Sequence, residues 1–205
     1  NPLTQWAAEQ EGLELPSLAV FYPYRGSLDA AWTGKVNLDD VKTLIDSPIR
    51  QEILRHIVRG ESAVWVLLES GDDKVDDATA ARIQKALDEV KLEFELPEGV
   101  MTEEEAEEFF EEADQVPYGF DPSNILRSGI PLKISFSIVR LPHDDPKESM
   151  FRKLVMNMDP ELEATEGQPL ALVVFGKGRA LGPIPGDELD EDVVFDISYY
   201  LCGAC

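Results

Sequence analysis

The stretch at residues 168–184 constrains the fold more than any other part of the chain. Its first half is an apolar, strand-forming run that Pro169 opens and Phe175 closes, and the tripeptide Gly-Lys-Gly at 176–178 follows. Glycine and lysine between two strand-forming runs predict a tight hairpin. Because proline has no N–H to donate, it is tolerated in a buried strand only as the first residue. The sequence therefore predicts an antiparallel strand pair whose first strand begins at Pro169.

The acidic composition of the chain narrows the choice of partners. Among its 205 residues, 41 Asp and Glu stand against 18 Lys and Arg, which gives a formal net charge of −23. That charge disfavours nucleic acid, which needs a basic surface, and also anionic membrane surfaces. Cationic partners or divalent cations fit better, unless the acidity serves solubility alone. The sequence contains no run of about 18 apolar residues, so it predicts no membrane insertion.

Apolar periodicity predicts an α/β fold in one domain, residues 1–205. The continuous apolar run at 63–69 is typical of a central parallel strand that is covered on both faces. The clearest helix starts at Pro48 behind the N-cap Ser47 and stops at Gly60. The other predicted elements are strands at 18–24, 132–141 and in the hairpin, a further candidate strand at 91–96, and helices at 38–45, 77–91, 145–156 (capped by Asp145, Pro146 and Glu148) and 187–201. The main order is βαβαβαββα.

Two segments stand outside this alternation. Residues 1–17 predict an N-terminal arm or short helix, and residues 92–130 predict an acidic helical insertion before the third strand. Within the insertion, residues 102–105 have the spacing of a capping box at the start of a helix. We expect Phe109 and Phe110, on one side of that helix, to pack the insertion on the core.

This order of elements resembles the thioredoxin fold, over residues 18–201. In that family a cis-proline opens the fourth strand, and Pro169 occupies the matching position, although sequence alone leaves the isomer of its peptide bond open. The chain is also similar to a group of exported bacterial thioredoxin-like proteins without known activity. The shared elements are a Ser-Pro-x-Arg helix start, an Ala-Val-Trp-Val-Leu-Leu strand and a Phe-Gly-x-Gly-Arg-Ala-Leu hairpin, which stand here at 47–50, 63–68 and 175–181. The resemblance implies an extracytoplasmic protein, periplasmic or secreted.

The usual active-site cysteines of the thioredoxin family are missing. Thioredoxin chemistry needs Cys-x-x-Cys at the amino end of the helix after the central strand, where the helix dipole and N–H groups stabilise a thiolate. We place that position at residues 76–80, which contain no cysteine. Ordinary thioredoxin activity at this site is therefore not expected.

The only two cysteines, Cys202 and Cys205, form a Cys-x-x-Cys at the end of the last predicted helix. The negative end of the helix dipole there raises a thiol pKa rather than lowering it. Three interpretations stay open: a disulfide or free thiols without a catalytic role, half of a metal site, or a redox pair at an unusual position. The chain lacks an initial methionine and stops at Cys205, so we expect both ends to have been shortened by processing or truncation.

Four aspartates crowd the loop predicted at residues 70–77, namely Asp72, Asp73, Asp76 and Asp77. Open α/β sheets bind ligands just beyond the carboxyl ends of their parallel strands, so this loop is a candidate binding face. Several carboxylates on one loop suit a hard cation such as calcium, but the spacing departs from the EF-hand pattern. We favour the interpretation that these side chains cap the following helix.

Two function hypotheses follow from these patterns. The first is a non-catalytic protein- or peptide-binding module, or scaffold, whose face comprises the four aspartates, Pro169 and the hairpin residues Lys177 and Arg179. These two basic residues have an alternative role as solvated turn residues. The second hypothesis is a thiol–disulfide oxidoreductase or thiol metal site built on Cys202 and Cys205.

Motifs for other chemistry are missing from the sequence. It contains no Gly-rich phosphate loop, serine nucleophile elbow or zinc-protease helix, so we predict no cofactor. His56 and His143 are predicted to be surface residues, with a metal contact by His143 as the alternative. The sequence leaves the oligomeric state open.

Overall fold

The computed structural model describes residues 2–10, 12, 14–22, 30–95, 99–112, 120–127, 129–130, 133–165 and 167–202. The elements are α1 (Pro2–Glu9), β1 (Ser17–Phe21), β2 (Ala30–Lys35), α2 (Leu38–Ile45), α3 (Pro48–Val58), β3 (Ala63–Leu68), α4 (Asp73–Glu93), β4 (Met101–Thr102), α5 (Glu103–Glu112), β5 (Ile125–Leu126), β6 (Phe136–Leu141), α6 (Ser149–Met156), β7 (Leu170–Phe175), β8 (Arg179–Pro185) and α7 (Glu191–Cys202). Short 3₁₀ helices precede β5 and β7. The chain is therefore of the mixed α/β class.

A mixed four-stranded sheet in the order β6-β3-β7-β8 forms the centre of the molecule. Strand β3 is parallel to β6 and antiparallel to β7, and β7 is antiparallel to β8. All six residues of β3 are buried, as expected for a continuous apolar run at a central position. The predictions of a central strand at 63–69 and of a hairpin at 169–181 are confirmed.

Helices cover both faces of this sheet. On one face, Trp65 and Leu67 of β3 pack against the apolar sides of α4 and α7, through residues such as Ile83 and Val194. On the other face, Val64, Val66 and Leu68 belong to a second cluster with Ile53 of α3 and Val155 of α6. Successive strand residues point to opposite faces, so one apolar strand supplies both cores.

The predicted strand at 18–24 is not part of this sheet. Its described portion is β1, which pairs antiparallel with β2 in a separate two-stranded ribbon, and residues 23 and 24 lie outside the described part of the chain. Strand β2 was not predicted, because alanine and glycine break its strand-forming run. An apolar run predicts a strand but does not specify its partner. The strands of the main sheet and the helices that pack on it therefore follow the order βαβαββα, which begins at Ala63.

Helix α4 begins at Asp73, four residues before the predicted start. Asp72 is its N-cap: the Asp72 Oδ1 accepts hydrogen bonds from the N–H of Lys74 and of Val75, at 3.0 and 3.3 Å. The helix continues to Glu93, so the candidate strand at 91–96 is wrong for its described residues. The loop after β3 is thus shorter than predicted, and three of the four aspartates lie on the helix.

Residue Glu148 caps a different helix from the one predicted. It precedes α6 but makes no side-chain capping bond there. Its Oε1 instead accepts a hydrogen bond of 2.9 Å from the N–H of Ile49, in the first turn of α3. A buried carboxylate at that position satisfies a free N–H and faces the positive end of the helix dipole. The predicted N-cap of α3, Ser47, is confirmed.

The insertion has its own small set of contacts. Its capping box is confirmed: Thr102 N–H donates to Glu105 Oε2 at 2.7 Å, and Glu105 N–H donates to Thr102 Oγ1 at 3.2 Å. Phe110 packs edge-to-face on Phe109 and on Phe120, with ring centroids 5.5 and 4.9 Å apart. The described ring contacts of Phe109 and Phe110 therefore lie within the insertion.

The capping box makes the start of α5 sensitive to acid. Hydrogen bonds from the Thr102 N–H and hydroxyl lower the pKa of Glu105 below its usual value. The capping contribution is therefore fully present above the usual glutamate pKa and is lost as the pH falls through the lowered value. We expect an NMR titration of the Glu105 carboxyl to show this low pKa, and Thr102→Ala to move it upward. An unchanged titration curve in Thr102→Ala would contradict the role of the hydroxyl.

Candidate functional site

The carboxyl ends of the parallel strands β3 and β6 meet at one end of the sheet, where the loop 69–72 is held by a buried carboxylate. Asp76, only 1% exposed, accepts hydrogen bonds from the N–H of Ser70 at 2.8 Å, from the Ser70 hydroxyl at 2.8 Å and from the N–H of Gly71 at 3.2 Å. The Asp72 N–H donates to Ser70 Oγ at 3.1 Å. Asp76 is therefore a structural anchor for the loop.

The resemblance noted in the sequence placed the usual reactive thiol at the amino end of the helix after the central strand, and that helix is α4. Its amino end lies at residues 72–75, somewhat before the predicted 76–80, and it contains no cysteine. The N–H groups of Lys74 and Val75 already bind Asp72, and those of Ser70 and Gly71 bind Asp76. The chain's own carboxylates thus occupy the donors that could stabilise a thiolate or a bound anion.

A cleft of about 580 Å³ opens beside this loop. The 3₁₀ turn before β7, the loop after β6 and the helix α6 form its walls. Its lining includes Ala30, His143, Arg152, Met156, Asn157, Asp159, Glu163, Thr165, Gly167 and Gln168. A polar cleft at the carboxyl ends of parallel strands is the usual position of a ligand site in an open α/β sheet.

Arg152 supplies the main cation of this cleft. Its Nη1 is buried and has no hydrogen-bond partner among the described residues. Burial lowers the pKa of the guanidinium, and the carboxylates of Asp76 and Glu69 oppose that shift. An arginine stays protonated in proteins at every relevant pH, so a buried N–H donor remains available.

Asp77 is engaged in an ion pair on the outer side of the loop. The Arg140 guanidinium binds Glu69 through Nε and Asp77 through Nη1, the latter at 2.6 Å. Hydrogen bonds to these two carboxylates raise the pKa of Arg140. The capping role predicted for the four aspartates thus holds for Asp72, whereas Asp76 anchors the preceding loop and Asp77 forms an ion pair. Among the described residues, no group of three His, Cys, Asp or Glu side chains is placed to hold a metal ion.

Pro169 does not form part of an exposed binding face. It is buried beneath Gly186, where an added Cβ would lie 2.8 Å from the Pro169 Cγ. The cis peptide bond in the described chain precedes Pro16, so the Gln168–Pro169 bond is trans, unlike the cis-proline that the resemblance implied. Its neighbour Gln168 is exposed and lines the cleft instead.

Lys177 and Arg179 lie at the opposite end of the sheet from the four aspartates. Pro169 precedes β7, whereas the turn 176–178 follows it, and the ladder pairs Leu68 with Leu170 but Ala63 with Phe175. The structure thus separates the residues that the sequence analysis grouped in one binding face. Pro169 and Lys177 belong to the same hairpin stretch of the sequence, but strand β7 lies between them and places them at opposite ends of the sheet.

Cys202 is also distant from the cleft, near the start of β3. Burial raises the pKa of its thiol, and a hydrogen bond with Ser62 opposes that shift in part. Cys205 lies outside the described residues. The half-buried Cys202 is therefore a poor nucleophile near neutral pH.

We expect Cys202 to react slowly with iodoacetamide. In a Cys205→Ser variant at pH 8, alkylation of the folded protein should be several-fold slower than that of the same variant in urea, because burial raises the pKa of the Cys202 thiol and so lowers its thiolate fraction. Mass spectrometry of quenched samples measures both rates. Equal rates in the two states would contradict a raised pKa at Cys202.

Three residues that line the cleft were not predicted from the sequence, namely Arg152, Asn157 and Gln168. Arg152 stands in a helix whose apolar periodicity was clear, but nothing in the pattern distinguishes a cleft-lining arginine from a solvated one. His143 was predicted to be a surface residue, and its exposure confirms this; it also lines the cleft next to Gly71, where an added Cβ would lie 3.3 Å from its ring. The side chains that line the cleft come together only in the tertiary structure, where α6, the loop after β6 and the segment before β7 meet.

Comparison with models of protein families, with curated proteins and with solved structures found no match to this chain. Within the described residues, no helix is both long and apolar enough to cross a membrane. Support for a function therefore comes from the geometry of the chain itself.

Proposed function

We propose that this protein is a thioredoxin-like binding module that holds a polypeptide segment in the cleft at the carboxyl ends of β3 and β6, without thiol chemistry. The sheet order β6-β3-β7-β8, with β7 antiparallel to the other three strands and helices on both faces, supports a thioredoxin-like fold. The resemblance noted in the sequence supports export, to the periplasm or beyond the cell. Neither the sheet order nor the sequence resemblance implies a known activity.

The occupied amino end of α4 is the observation that carries the proposal. Asp72 and Asp76 bind four backbone N–H groups at residues 70, 71, 74 and 75. A thiolate or oxyanion at this point would find these four donors occupied and would face two carboxylates, which is unfavourable by like-charge repulsion. This end of the sheet is therefore built for binding rather than for nucleophilic catalysis.

The cleft offers complementary groups for a polypeptide backbone. The Arg152 guanidinium lines the cleft and can donate to a carbonyl oxygen of the ligand, and the exposed side chain of Gln168 can donate and accept. Asp159 and Glu163 at the other side favour a basic side chain in the bound segment. A peptide with one lysine or arginine among uncharged residues suits this distribution and the overall negative charge.

A peptide-display selection tests the proposal. Random peptides displayed on phage are selected with the full chain, and the dissociation constants of the enriched peptides are measured by calorimetry. We expect enrichment of basic residues, and binding about tenfold weaker in Arg152→Ala, because the charged guanidinium donor to a ligand carbonyl is lost. Lys153→Ala, on the exposed neighbouring residue of α6, is the matched control and should bind normally.

Two results would overturn this function. One is the absence of any peptide whose affinity falls in Arg152→Ala but not in Lys153→Ala. The other is catalysed reduction of insulin disulfides that disappears in Cys202→Ser, which would favour the oxidoreductase hypothesis. No feature of the half-buried Cys202 thiol now favours that hypothesis or a thiol metal site.

A further inference from the structure

A second concavity, which we call the apolar groove, lies on the sheet face opposite to α4 and α7. Leu172 and Val174 of β7 form its floor, and the apolar sides of α3 and α6 form its walls. Its volume of about 660 Å³ lies within the range of ~300–1,000 Å³ that is common for ligand sites. Leu54 and Val58, on the α3 wall, are 59% and 53% exposed, so the groove is open to solvent.

The charges along the apolar groove are opposite in sign to the charge of the whole protein. The charged side chains among its described lining residues are Arg50 and Lys177, and no aspartate or glutamate is among them. In a chain with 41 acidic and 18 basic residues, an acidic residue would be expected more often than a basic one. This local excess of positive charge is complementary to an anionic group on an apolar ligand.

The two cations differ in their availability. The Arg50 guanidinium donates to the carbonyl oxygens of Thr43 and Leu44, the latter at 2.6 Å, and to Ser47 Oγ at 3.2 Å. It is therefore part of the wall. Lys177 lies in the exposed hairpin turn and has no hydrogen bond or ion pair with any other described residue. Lys177 is the cation that a ligand can reach.

We propose that the apolar groove binds a long-chain fatty acid, with its hydrocarbon chain between α3 and α6 and its carboxylate at Lys177. This site is separate from the polar cleft and does not depend on the function proposed for it. The net charge of −23 repels an anion at long range, but at physiological salt such fields are screened beyond about 8 Å. Burial of the chain and the contact with Lys177 then decide the affinity.

Calorimetry with the full chain and monomeric fatty acids tests the proposal. Each additional methylene that enters the groove should tighten binding about fourfold, so decanoate, laurate and myristate should form a rising series. Laurate should bind more tightly than lauryl alcohol, which has no charge, and dodecyltrimethylammonium should bind most weakly. Raised salt should weaken laurate but not lauryl alcohol.

Three variants locate the two parts of the ligand. Lys177→Glu should weaken laurate about fivefold and leave lauryl alcohol unchanged. Arg179→Glu is the matched control, since this residue stands in the same hairpin but does not line the groove. Leu54→Glu replaces an exposed wall residue and should weaken laurate and lauryl alcohol alike by about tenfold, because it places a charge beside the chain.

Several outcomes would overturn the proposal. Laurate affinity that is unchanged in Leu54→Glu places the ligand outside the groove. Equal affinity for laurate and dodecyltrimethylammonium removes the charge argument. Equal losses in Lys177→Glu and Arg179→Glu show a general field effect rather than a contact. Binding of fatty acid only above its critical micelle concentration, or binding of the protein only to anionic vesicles, shows that the protein binds a lipid surface instead of a single fatty acid molecule.

Discussion

Replacing Asp76 by alanine should lower the free energy of unfolding by about 3 kcal/mol, because three donors then lose a charged acceptor in a site closed to water. The carboxylate is 1% exposed and binds the N–H groups of Ser70 and Gly71 as well as the Ser70 hydroxyl. Urea denaturation followed by circular dichroism measures the change. Asp76→Asn keeps one oxygen acceptor and should cost less than Asp76→Ala.

The neighbouring Asp73 provides the control for this prediction. It lies in the first turn of the same helix but is exposed, so Asp73→Ala should cost about 0.5 kcal/mol through the helix dipole alone. Equal effects of the two substitutions would show that charge at the helix start matters and that the loop anchor does not. Peptide binding in the adjacent cleft should also weaken in Asp76→Ala and not in Asp73→Ala.

Replacing Trp65 by alanine should have the largest effect in the chain, a loss of about 4 kcal/mol. Trp65 is fully buried at the middle of β3, between Ile138 of β6 and Val173 of β7 in the ladders. Its Nε1 donates a hydrogen bond of 3.2 Å to Ser198 Oγ on α7. The substitution therefore leaves a large cavity and an unpaired hydroxyl in the same place.

Smaller changes separate the two contributions at Trp65. Ser198→Ala removes only the acceptor and should cost about 1–2 kcal/mol, since the indole N–H is left without a partner. Trp32→Ala, on the half-buried strand β2, is the control for loss of a tryptophan outside the main sheet. A cost in Trp32→Ala equal to that in Trp65→Ala would contradict the central position of β3 in the stability of the fold.

Short-range sequence patterns predicted those elements whose formation depends on residues only a few positions apart. The run Ala63–Leu68, the hairpin that follows Pro169 and the helix behind Ser47 were all predicted, because apolar periodicity, turn glycines and capping residues act over a few positions. The capping box Thr102–Glu105 is a further example. The predicted start of α4 was four residues too late, because the sequence does not distinguish an aspartate that caps a helix from an aspartate in a loop.

The candidate site was only partly predictable. The importance of the carboxyl end of β3 follows from a general rule for α/β sheets, and the capping role of Asp72 follows from residue type. The grouping of Pro169 with Lys177 was wrong, because the direction of a strand places its two ends far apart. Arg152 gave no signal, since its importance depends on neighbours from other elements.

The sequence by itself determined the central strand, the hairpin after Pro169 and the helix behind Ser47, as well as the absence of cysteine at the start of α4 and the large negative charge. Only the tertiary structure decided that β1 pairs with β2 outside the main sheet, that Glu148 serves α3, and that a polar cleft and an apolar groove lie on different parts of the molecule. The physical reason is the range of each interaction. Periodicity and capping are encoded within one or two turns of chain, whereas strand partners, buried carboxylates and cavities depend on which distant segments pack together.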